Sequence, residues 1–358
     1  MNKLLDQHGR RFSYLRLSIT DVCNFRCQYC LPNGYQKISA LPRLEQTHFP
    51  ISQPIHFSRN LPHPGQTADK IRDEFLSVGE IENLVRALAG LGMWKVRLTG
   101  GEPTTRKDLI EIAARISSIP GIRKVALTTN GYRLLEHAVA WREAGISALN
   151  VSIDSLDRKN FHAITGHDKL PEILAGIEKA QTLGFDAMKI NTVLLKGSND
   201  GEIDTFVDWI KDKPVSLRWI ELMQTGDNLA YFNQRHLSSA IIVTKLLERG
   251  WSPVSREEGA GPAQEFSHPK SVGHIGIIAP YSKNFCDTCN RLRVTARGDL
   301  RLCLFGNAGH SLRHLLQTPD MQDVLQKTMV DLLTQKVATH DLHSGHTGIT
   351  PHLASLGG

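Results

Sequence analysis

Cysteine is scarce in this chain and is confined to two short stretches. Six of the 358 residues are cysteine, whereas 29 are glycine and 16 are proline. Three cysteines lie within residues 23–30 and three within residues 286–303, so none stands alone. In a reducing compartment such grouping indicates metal binding rather than disulfide bonds.

Long apolar runs are missing as well. No run of about 18 apolar residues occurs, so the sequence predicts no transmembrane helix. The opening residues, MNKLLDQHGRR, lack the apolar centre of a signal peptide. We therefore expect a cytoplasmic protein, in which the thiols stay reduced.

Acidic residues are outnumbered by basic ones. The chain has 42 Lys and Arg against 36 Asp and Glu, a formal net charge of +6. Such an excess suits an anionic partner, such as nucleic acid, a phosphorylated small molecule or an acidic membrane surface. No run of about five or six like charges occurs, so a basic tail that binds nucleic acid is not expected.

Short β-rich runs recur along the first two thirds of the chain, with amphipathic stretches between the later ones. The runs lie at residues 14–20, 95–101, 124–130, 148–154, 187–194 and 216–223. Helical periodicity marks residues 108–119, 134–145 and 202–212. Serial βα units predict a parallel sheet, either an open doubly wound sheet or a barrel.

Polar residues distinguish these two folds. With period two, each run sends polar side chains from one face near its carboxyl end. A sheet covered by helices on both faces should be almost continuously apolar, whereas a barrel has its site at the carboxyl-terminal mouth. The sequence therefore predicts an α/β protein with an incomplete (βα)6 TIM-like barrel. The polar sets are Arg16, Ser18 and Thr20; Arg97 and Thr99; Thr128 and Asn130; Asn150, Ser152 and Asp154; Lys189 and Asn191; and Glu221 with Met223.

The rest of the chain departs from this rhythm. Residues 34–77 contain many proline, histidine and glutamine residues and predict an irregular insertion, either a lid over the barrel mouth or a disordered excursion. After residue 225 we expect a helix at 238–249, a strand at 272–280, a hairpin that turns at 297–299 and a last helix at 320–336. We therefore place the barrel at residues 1–225 and an α+β extension at residues 226–358.

The first cysteine group has the spacing C-x3-C-x2-C, at Cys23, Cys27 and Cys30. Three thiolates on one loop can bind zinc or an iron–sulfur cluster, but zinc sites usually add further ligands from a more distant part of the chain. Three thiolates alone suit a cubane cluster that has one iron open to a ligand.

The second group, Cys286, Cys289 and Cys303, has the spacing C-x2-C-x13-C. One interpretation is a zinc ribbon with histidine as fourth ligand, and the other is a second iron–sulfur cluster that again has an open iron. Arg291 and Arg293 alternate after Cys289, so both guanidinium groups point the same way if this segment is extended. Two such groups beside an open cluster suit a polyphosphate.

The segment DVCNFRCQYC, with Tyr29 just before its last cysteine, resembles the radical S-adenosylmethionine superfamily. TGGEP at residues 99–103 is similar to that superfamily's second strand motif, in which a glycine pair lets the backbone approach S-adenosylmethionine closely. The resemblance implies that the open iron binds the amino and carboxylate groups of S-adenosylmethionine. It also implies that reductive cleavage there yields a 5′-deoxyadenosyl radical.

Motifs along nearly the whole chain resemble one family, the GTP 3′,8-cyclases of molybdenum cofactor biosynthesis. They include VRLTGGEP, LTTNGYRL, NVSIDSLD, FCDTCNRLRVTARGDLRLCLFG and the terminal Gly-Gly, and they leave out about residues 36–75. The resemblance implies two [4Fe–4S] clusters, one for each cysteine group. Implied S-adenosylmethionine contacts are Tyr29, Gly101, Ser152 and Met223. Implied GTP contacts are Arg16, Arg97, Thr128, Lys189, Arg291 and Arg293. Catalytic roles are implied for Arg16, Lys189, Gly357 and Gly358, the last two in a tail that reaches into the active site.

The implied reaction is a radical rearrangement by a lyase, which converts GTP to 3′,8-cyclo-7,8-dihydro-GTP. The deoxyadenosyl radical takes the hydrogen from C3′ of the ribose, and C3′ then attacks C8 of guanine. The implied partners are a flavodoxin-like or ferredoxin-like electron donor, a downstream cyclic pyranopterin monophosphate synthase and a second copy of the chain in a homodimer. Neither nucleic acid nor a membrane is expected as a partner.

Two other functions compete with this one. The chain could be another radical S-adenosylmethionine enzyme with an auxiliary cluster, of a peptide-modifying type, or a zinc-ribbon protein that binds nucleic acid. The arginine pair after Cys289 and the Gly-Gly end favour the cyclase over the first alternative. The βα pattern and the GGEP motif argue against the second.

Overall fold

The structure, a computed structural model, describes residues 4–31, 34, 75–255 and 260–356. Residues 35–74, which form most of the predicted insertion, lie outside the described residues. So do Gly357 and Gly358, and the predictions made for both segments therefore stay predictions.

A continuous sheet organises the described part of the chain. Its central strands are β1 (Tyr14–Thr20), β2 (Lys95–Gly100), β3 (Lys124–Thr129), β4 (Ile146–Ser152), β5 (Ala187–Leu194) and β6 (Ser216–Glu221). These six strands are adjacent in chain order, and every neighbouring pair is parallel. The predicted βα barrel architecture is confirmed, and β1 and β5 have the predicted bounds.

Helices follow the parallel strands, and all of them except the short helix at Leu229–Arg235 bury side chains in the apolar core of the sheet. They are α1 (Val78–Gly90), α2 (Leu109–Ser117), α3 (Leu134–Glu143), α4 (Arg158–Thr165), α5 (Leu170–Gln181), α6 (Ile203–Trp209), α7 (Leu229–Arg235), α8 (Ala240–Glu248) and α9 (Gln322–Leu333). The first begins with a capping box, in which Ser77 and Glu80 each accept a hydrogen bond from the other's backbone amide. In the described ranges, none of these helices has the length and apolar character needed to span a membrane.

The apolar core lies between these helices and the outer face of the sheet. Leu15, Leu17 and Ile19 of β1 are buried, as are Leu84 and Leu88 of α1, and all belong to one apolar cluster. Because strand side chains alternate between faces, the residues between these apolar ones point the other way, into the barrel. Burial of the outer face therefore fixes which side chains line the interior.

Strands from the last third of the chain extend the same sheet at both edges. β9 (His274–Ile278) pairs parallel with β6, and β10 (Arg291–Val294) pairs parallel with β1. β10 also forms the predicted hairpin with β11 (Asp299–Arg301), in antiparallel pairing. The remaining short strands are β7 (Ser252–Pro253), β8 (Gln264–Ser267) and β12 (His310–Ser311). Sheet hydrogen bonds thus cross the proposed boundary at residue 225, which stays a prediction.

A buried ion pair near the amino terminus joins distant parts of the chain. Arg10 Nε lies 2.7 Å from Asp6 Oδ2, and their side chains are 7% and 0% exposed. Arg10 also donates hydrogen bonds to the carbonyl oxygens of Val337 and Ala338, each at 2.6 Å, and of Cys286 at 3.2 Å. The amino-terminal segment therefore holds one cysteine loop against the chain that follows α9.

Arg10→Met tests this junction. Removing one partner of a buried pair leaves an uncompensated charge, which typically costs about 3–5 kcal/mol. We expect the free energy of unfolding, measured by denaturant titration of anaerobic protein, to fall by that order. The neighbouring Arg11 is exposed, so Arg11→Met should change the free energy by less than about 0.5 kcal/mol. Equal losses in the two variants would contradict a role for the buried pair.

Candidate active site

The barrel encloses a cavity lined by side chains from β1 to β6 and from β10. The structure brings every described residue of the predicted site to this cavity. From the predicted ligand contacts it receives Arg16, Tyr29, Arg97, Gly101, Thr128, Ser152, Lys189, Met223, Arg291 and Arg293. From the predicted metal ligands it receives Cys23, Cys27, Cys30, Cys286, Cys289 and Cys303.

Strand register sets the inward polar side chains beside one another. Arg16 is the register partner of Arg293 on one side and of Arg97 on the other. Lys189 is the register partner of Asn150. Like charges in neighbouring strand positions repel each other, so this arrangement is unfavourable without a counter-charge. The cavity therefore suits an anion with several negative charges.

Further charged groups intensify this positive field. Arg97 donates hydrogen bonds to the Tyr14 hydroxyl and, at 3.0 Å, to Thr128 Oγ1. Burial alone would raise the pKa of Tyr14, but the charges of Arg97 and Arg16 lower it to about 7. Lys95 Nζ also lies 4.6 Å from the centre of the Tyr14 ring. So low a pKa for a tyrosine indicates that the surrounding cations strongly favour negative charge at this position.

The pKa of Lys189, itself a cation, is lowered in these positively charged surroundings. Burial, followed by the charge of Arg218, lowers its pKa from the usual 10.5 to about 7. Burial likewise lowers the pKa of Arg16. These groups are held where their charged forms are disfavoured, and a bound anion would reverse that effect.

Several buried polar atoms in the cavity have no hydrogen-bond partner among the described residues. They are Nε of Arg218, Arg291 and Arg293 and Oδ1 of Asn150 and Asn191. Nearly all buried polar atoms in proteins are satisfied, so unsatisfied ones around a cavity indicate a polar ligand or ordered water. Both donors and acceptors are present, which suits a ligand with phosphate and amide groups.

The first cysteine group lies on the loop that follows β1. The backbone amides of Cys30 and Leu31 donate to the Cys27 carbonyl at 2.9 and 2.8 Å, which folds the loop back on itself. Burial raises the pKa of Cys23 and of Cys30 to about 12, and it also raises the pKa of Cys27. Such buried thiols become thiolates when a metal compensates their charge.

An iron–sulfur cluster and a zinc ion need different spacings of their protein ligands. Within the described ranges, no three His, Cys, Asp or Glu side chains converge closely enough to hold a single metal ion. In a cubane each thiolate binds a different iron, so its ligands stand farther apart than those of one zinc. Three thiols that line one cavity are compatible with such a cluster.

Two buried side chains hold this loop against the barrel. The Tyr29 hydroxyl donates to Asp154 Oδ2 at 2.8 Å, and Asp154 Oδ1 accepts from the Val193 amide at 2.9 Å. Asn228 Nδ2 donates to the carbonyls of Tyr29 at 3.2 Å and Met223 at 3.0 Å. The carboxyl ends of β4, β5 and β6 are thereby tied to the cysteine loop. Asn228 was not predicted, because it belongs to no motif and acts only through folded-state contacts.

The glycine pair of TGGEP lies where β2 passes the start of the cysteine loop. Gly100 has φ +143°, and a Cβ at either glycine would collide with backbone atoms of Thr20, Asp21 or Val22. Close approach to a ligand was the expected reason for these glycines. The structure adds a reason within the protein, because only glycine lets the ends of β1 and β2 pack so closely.

The second cysteine group flanks the hairpin of β10 and β11 and also lines the cavity. Burial alone would raise the pKa of Cys289, but the charges of Arg291 and Lys336 lower it to about 6. Lys336 is buried and lies beyond the carboxyl end of α9, although the predicted helix included it. The two cysteine groups therefore occupy electrostatically different surroundings.

Sequence reasoning missed Arg218. Alternation counted back from Glu221 and Met223 places Arg218 on the outer face of β6. In the structure Arg218 is the register partner of Asn191, lines the cavity and lies 2.6 Å from Glu265. The register of β6 with β5 identifies Arg218 as inward-facing, and the sequence of β6 alone does not contain that register.

The prediction that Glu221 shares the inward face of β6 is wrong, because the register with β5 puts Arg218 there and Glu221 on the opposite face of the strand. Glu221 instead accepts hydrogen bonds from the backbone amide and hydroxyl of Ser239.

The carboxyl-terminal tail approaches both cysteine groups. Leu353 and Ala354 line the cavity, and their backbone amides act on the Cys30 thiol, where they partly offset the rise of its pKa that burial causes. Leu356 is buried in an apolar cluster with Leu304 and Phe305, which follow Cys303. The predicted roles of Gly357 and Gly358 concern residues beyond this described segment.

Known protein families match almost the whole chain. The Radical SAM superfamily matches residues 17–210, and the family described as Molybdenum Cofactor Synthesis C matches residues 215–342. The GTP 3′,8-cyclase of Stenotrophomonas maltophilia (strain R551-3) is 52% identical to this chain over 358 residues. The match covers 100% of both proteins. The GTP 3′,8-cyclase of Aeromonas hydrophila is 51% identical to this chain. The match covers 100% of this chain and 97% of that protein.

Solved structures support the fold independently. The crystal structure of Streptococcus suis SuiB bound to S-adenosylmethionine has a TM-score of 0.56 and 13% identity, covering 92% of this chain and 68% of that one. SuiB bound to its precursor peptide SuiA gives a TM-score of 0.57, with 13% identity and coverage of 92% and 67%. At this identity the likeness concerns the fold alone.

The lowered pKa of Lys189 predicts proton uptake when a polyphosphate binds. At pH 8 a group with a pKa near 7 is mostly neutral, and a bound anion raises that pKa and protonates it. Calorimetry with inorganic triphosphate, in buffers of different ionisation enthalpy, should show uptake at pH 8 that declines towards pH 6. Lys189→Met should take up about one proton fewer.

Tyr14 titrates in the same range and supplies the matched control. Its pKa of about 7 should also rise when an anion binds, so Tyr14→Phe removes one contribution and keeps that of Lys189. Proton uptake that is identical in Lys189→Met and in the unaltered protein would contradict the lowered pKa.

Proposed function

The chain belongs to the GTP 3′,8-cyclase family within the radical S-adenosylmethionine superfamily, and on that premise we propose that its cavity converts GTP to 3′,8-cyclo-7,8-dihydro-GTP. This is the first step of molybdenum cofactor biosynthesis. One observation carries the assignment beyond family membership. The same cavity is lined by two separate cysteine groups and by a lateral row of arginines on β10, β1 and β2.

Membership of the superfamily implies a [4Fe–4S] cluster and S-adenosylmethionine. We assign the cluster to Cys23, Cys27 and Cys30, whose spacing and convergence on one cavity suit three thiolate ligands. When bound, these cofactors supply a 5′-deoxyadenosyl radical that removes the C3′ hydrogen, after which C3′ bonds to C8 and one electron and one proton complete the product.

The S-adenosylmethionine contacts are assigned to the residues around the first cysteine loop. Tyr29, Gly101, Ser152 and Met223 all line the cavity on this side. Tyr29 donates a hydrogen bond to Asp154, and Asn228 donates one to the Met223 carbonyl, so two of these contacts are held in place. Such fixed positioning lets a reactive carbon meet its target atom at short range and keeps water away.

We assign the triphosphate of GTP to the inward-facing cations of β1, β2 and β5. Arg16, Arg97 and Lys189 point into the cavity from three strands, and Thr128 accepts a hydrogen bond from Arg97. Three or four phosphate charges would relieve the repulsion among these groups and raise the lowered pKa of Lys189. We further assign catalytic importance to Arg16 and Lys189, since they hold the nucleotide for the reaction, and to Gly357 and Gly358 of the tail.

A second [4Fe–4S] cluster is assigned to Cys286, Cys289 and Cys303. Three thiols again face the cavity, and the low pKa of Cys289 favours the thiolate that binds iron. Arg291 and Arg293 each present a buried Nε without a partner among the described residues. They would suit phosphate oxygens of the same GTP. The second cluster, when bound, would offer an open iron to the guanine edge.

The wider setting of the enzyme is part of the proposal. We propose a cytoplasmic enzyme that forms a homodimer and receives electrons from a flavodoxin-like or ferredoxin-like donor. Its product would pass to a cyclic pyranopterin monophosphate synthase. All six cysteines are free thiols, as a reducing compartment requires. Full-length relatives at 52% and 51% identity support the cyclase over the peptide-modifying and zinc-ribbon alternatives.

Anaerobic reconstitution with iron and sulfide tests the proposal. We expect about eight irons per chain, because two [4Fe–4S] clusters form. The loaded protein should convert GTP and S-adenosylmethionine to the cyclised nucleotide and 5′-deoxyadenosine, detected by mass spectrometry. Zinc in place of iron, or no turnover of GTP, would overturn it.

Single substitutions separate the two cysteine groups. Cys286→Ala should keep S-adenosylmethionine binding but lose GTP cyclisation, because only the second cluster is damaged. Cys23→Ala is the matched control, and it should lose S-adenosylmethionine cleavage as well. Product analysis and equilibrium binding of S-adenosylmethionine measure the two effects. Unchanged product yield in Cys286→Ala would refute the role given to the second group.

A further inference from the structure

The two cysteine groups lie in opposite electrostatic surroundings. The charged groups that act on the first are carboxylates, with Glu102 near Cys23 and Asp154 near Cys27 and Cys30. Both carboxylates are buried, at 2% and 3% exposure, and both line the cavity. Negative charge is therefore concentrated where the first cluster would sit.

Cations surround the second group instead. Arg291 and Arg293 follow Cys289 on β10, and both are buried beside it. Their charges and that of Lys336 all favour the thiolate of Cys289.

Lys336 is the cation in this set that the nucleotide assignment does not use. It is 3% exposed, lines the cavity and donates a hydrogen bond to the carbonyl of Leu302, the residue before Cys303. Its ammonium lies 5.4 Å from the centre of the Phe12 ring. No carboxylate forms an ion pair with it among the residues that the structure describes. A buried ammonium without an anionic partner is unfavourable unless nearby sulfur carries negative charge.

The loop that carries Lys336 is held rigidly. Arg10 donates to the carbonyls of Val337 and Ala338, and His8 Nε2 lies 3.1 Å from the Lys336 carbonyl. Arg10 also binds the Cys286 carbonyl, so the lysine loop and the cysteine loop share one anchor. The backbone at Lys336 is therefore fixed relative to the Cys286 loop, and the hydrogen bond to the Leu302 carbonyl fixes the end of its side chain.

We infer that Lys336 compensates the negative charge of the second iron–sulfur cluster and raises its reduction potential above that of the first. Reduction adds one negative charge, which a fixed buried cation stabilises and a fixed carboxylate opposes. The inference rests on the proposed second cluster. Its consequence is that an electron delivered by the donor resides preferentially beside the substrate, where one electron is needed to complete the product.

Redox titrations of each cluster alone test the inference. A variant with Cys23, Cys27 and Cys30 all changed to Ala isolates the second cluster, and the matching variant at Cys286, Cys289 and Cys303 isolates the first. Midpoint potentials are measured anaerobically by electron paramagnetic resonance, without any turnover. We expect the second cluster to have the higher potential.

Substitutions at Lys336 in the background that keeps only the second cluster then identify the cause. Lys336→Met and Lys336→Gln remove the charge, and Gln keeps a donor for the Leu302 carbonyl. Both should lower the ratio of reduced to oxidised cluster at fixed potential at least tenfold, which is about 59 mV for one electron. Lys336→Arg keeps the charge and should restore the potential. Lys327 is exposed on α9, so Lys327→Met is the matched control and should have no effect.

The outcomes separate this inference from the proposed function. If the background without the first cysteines binds no iron, the proposed second cluster itself is wrong. If it binds about four irons but Lys336→Gln leaves the midpoint potential unchanged, the role of Lys336 is refuted while the cluster stands. Equal or reversed potentials of the two isolated clusters would overturn the ordering.

Discussion

Three arginines on neighbouring parallel strands impose the main constraint on this molecule. Arg293, Arg16 and Arg97 are register partners across β10, β1 and β2, and each reaches the barrel cavity. Like charges so placed repel, and burial removes the water that would screen them. The apolar outer face fixes this orientation, because turning a strand over would expose its core residues. A site for an anion is thus built into the strand pairing itself.

The row of three arginines forms only because a strand from the last third of the chain joins the sheet. β10 supplies the outermost arginine of the row and stands directly beside β1, although almost the whole barrel separates them in sequence. The same pairing carries the second cysteine group to the cavity that the first cysteine loop already borders. Arg10 then ties the loop of Cys286 to the segment after α9. Substrate cations and both thiol groups therefore depend on one continuous set of backbone hydrogen bonds.

Charge divides this shared cavity into two halves. Buried carboxylates face the first cysteine loop, whereas buried cations face the second, and the pKa values of Cys23 and Cys289 move in opposite directions accordingly. Desolvation acts on both thiols in the same sense, so the neighbouring charges decide the difference. A reaction that needs S-adenosylmethionine cleavage at one end and a polyphosphate at the other benefits from such a division.

The sequence by itself determined the parallel βα order, the inward polar faces of β1 to β5 and the two cysteine groups, because strand alternation and ligand spacing are local properties. It indicated Arg16, Arg97 and Lys189 for the same reason. Only the tertiary structure decided the partners of those groups. Arg218 depended on register with β5, Asn228 on contacts between two loops, and Lys336 on packing beyond the end of α9. Long-range pairing brings these side chains together, and no local pattern records which distant segment a buried charge will meet.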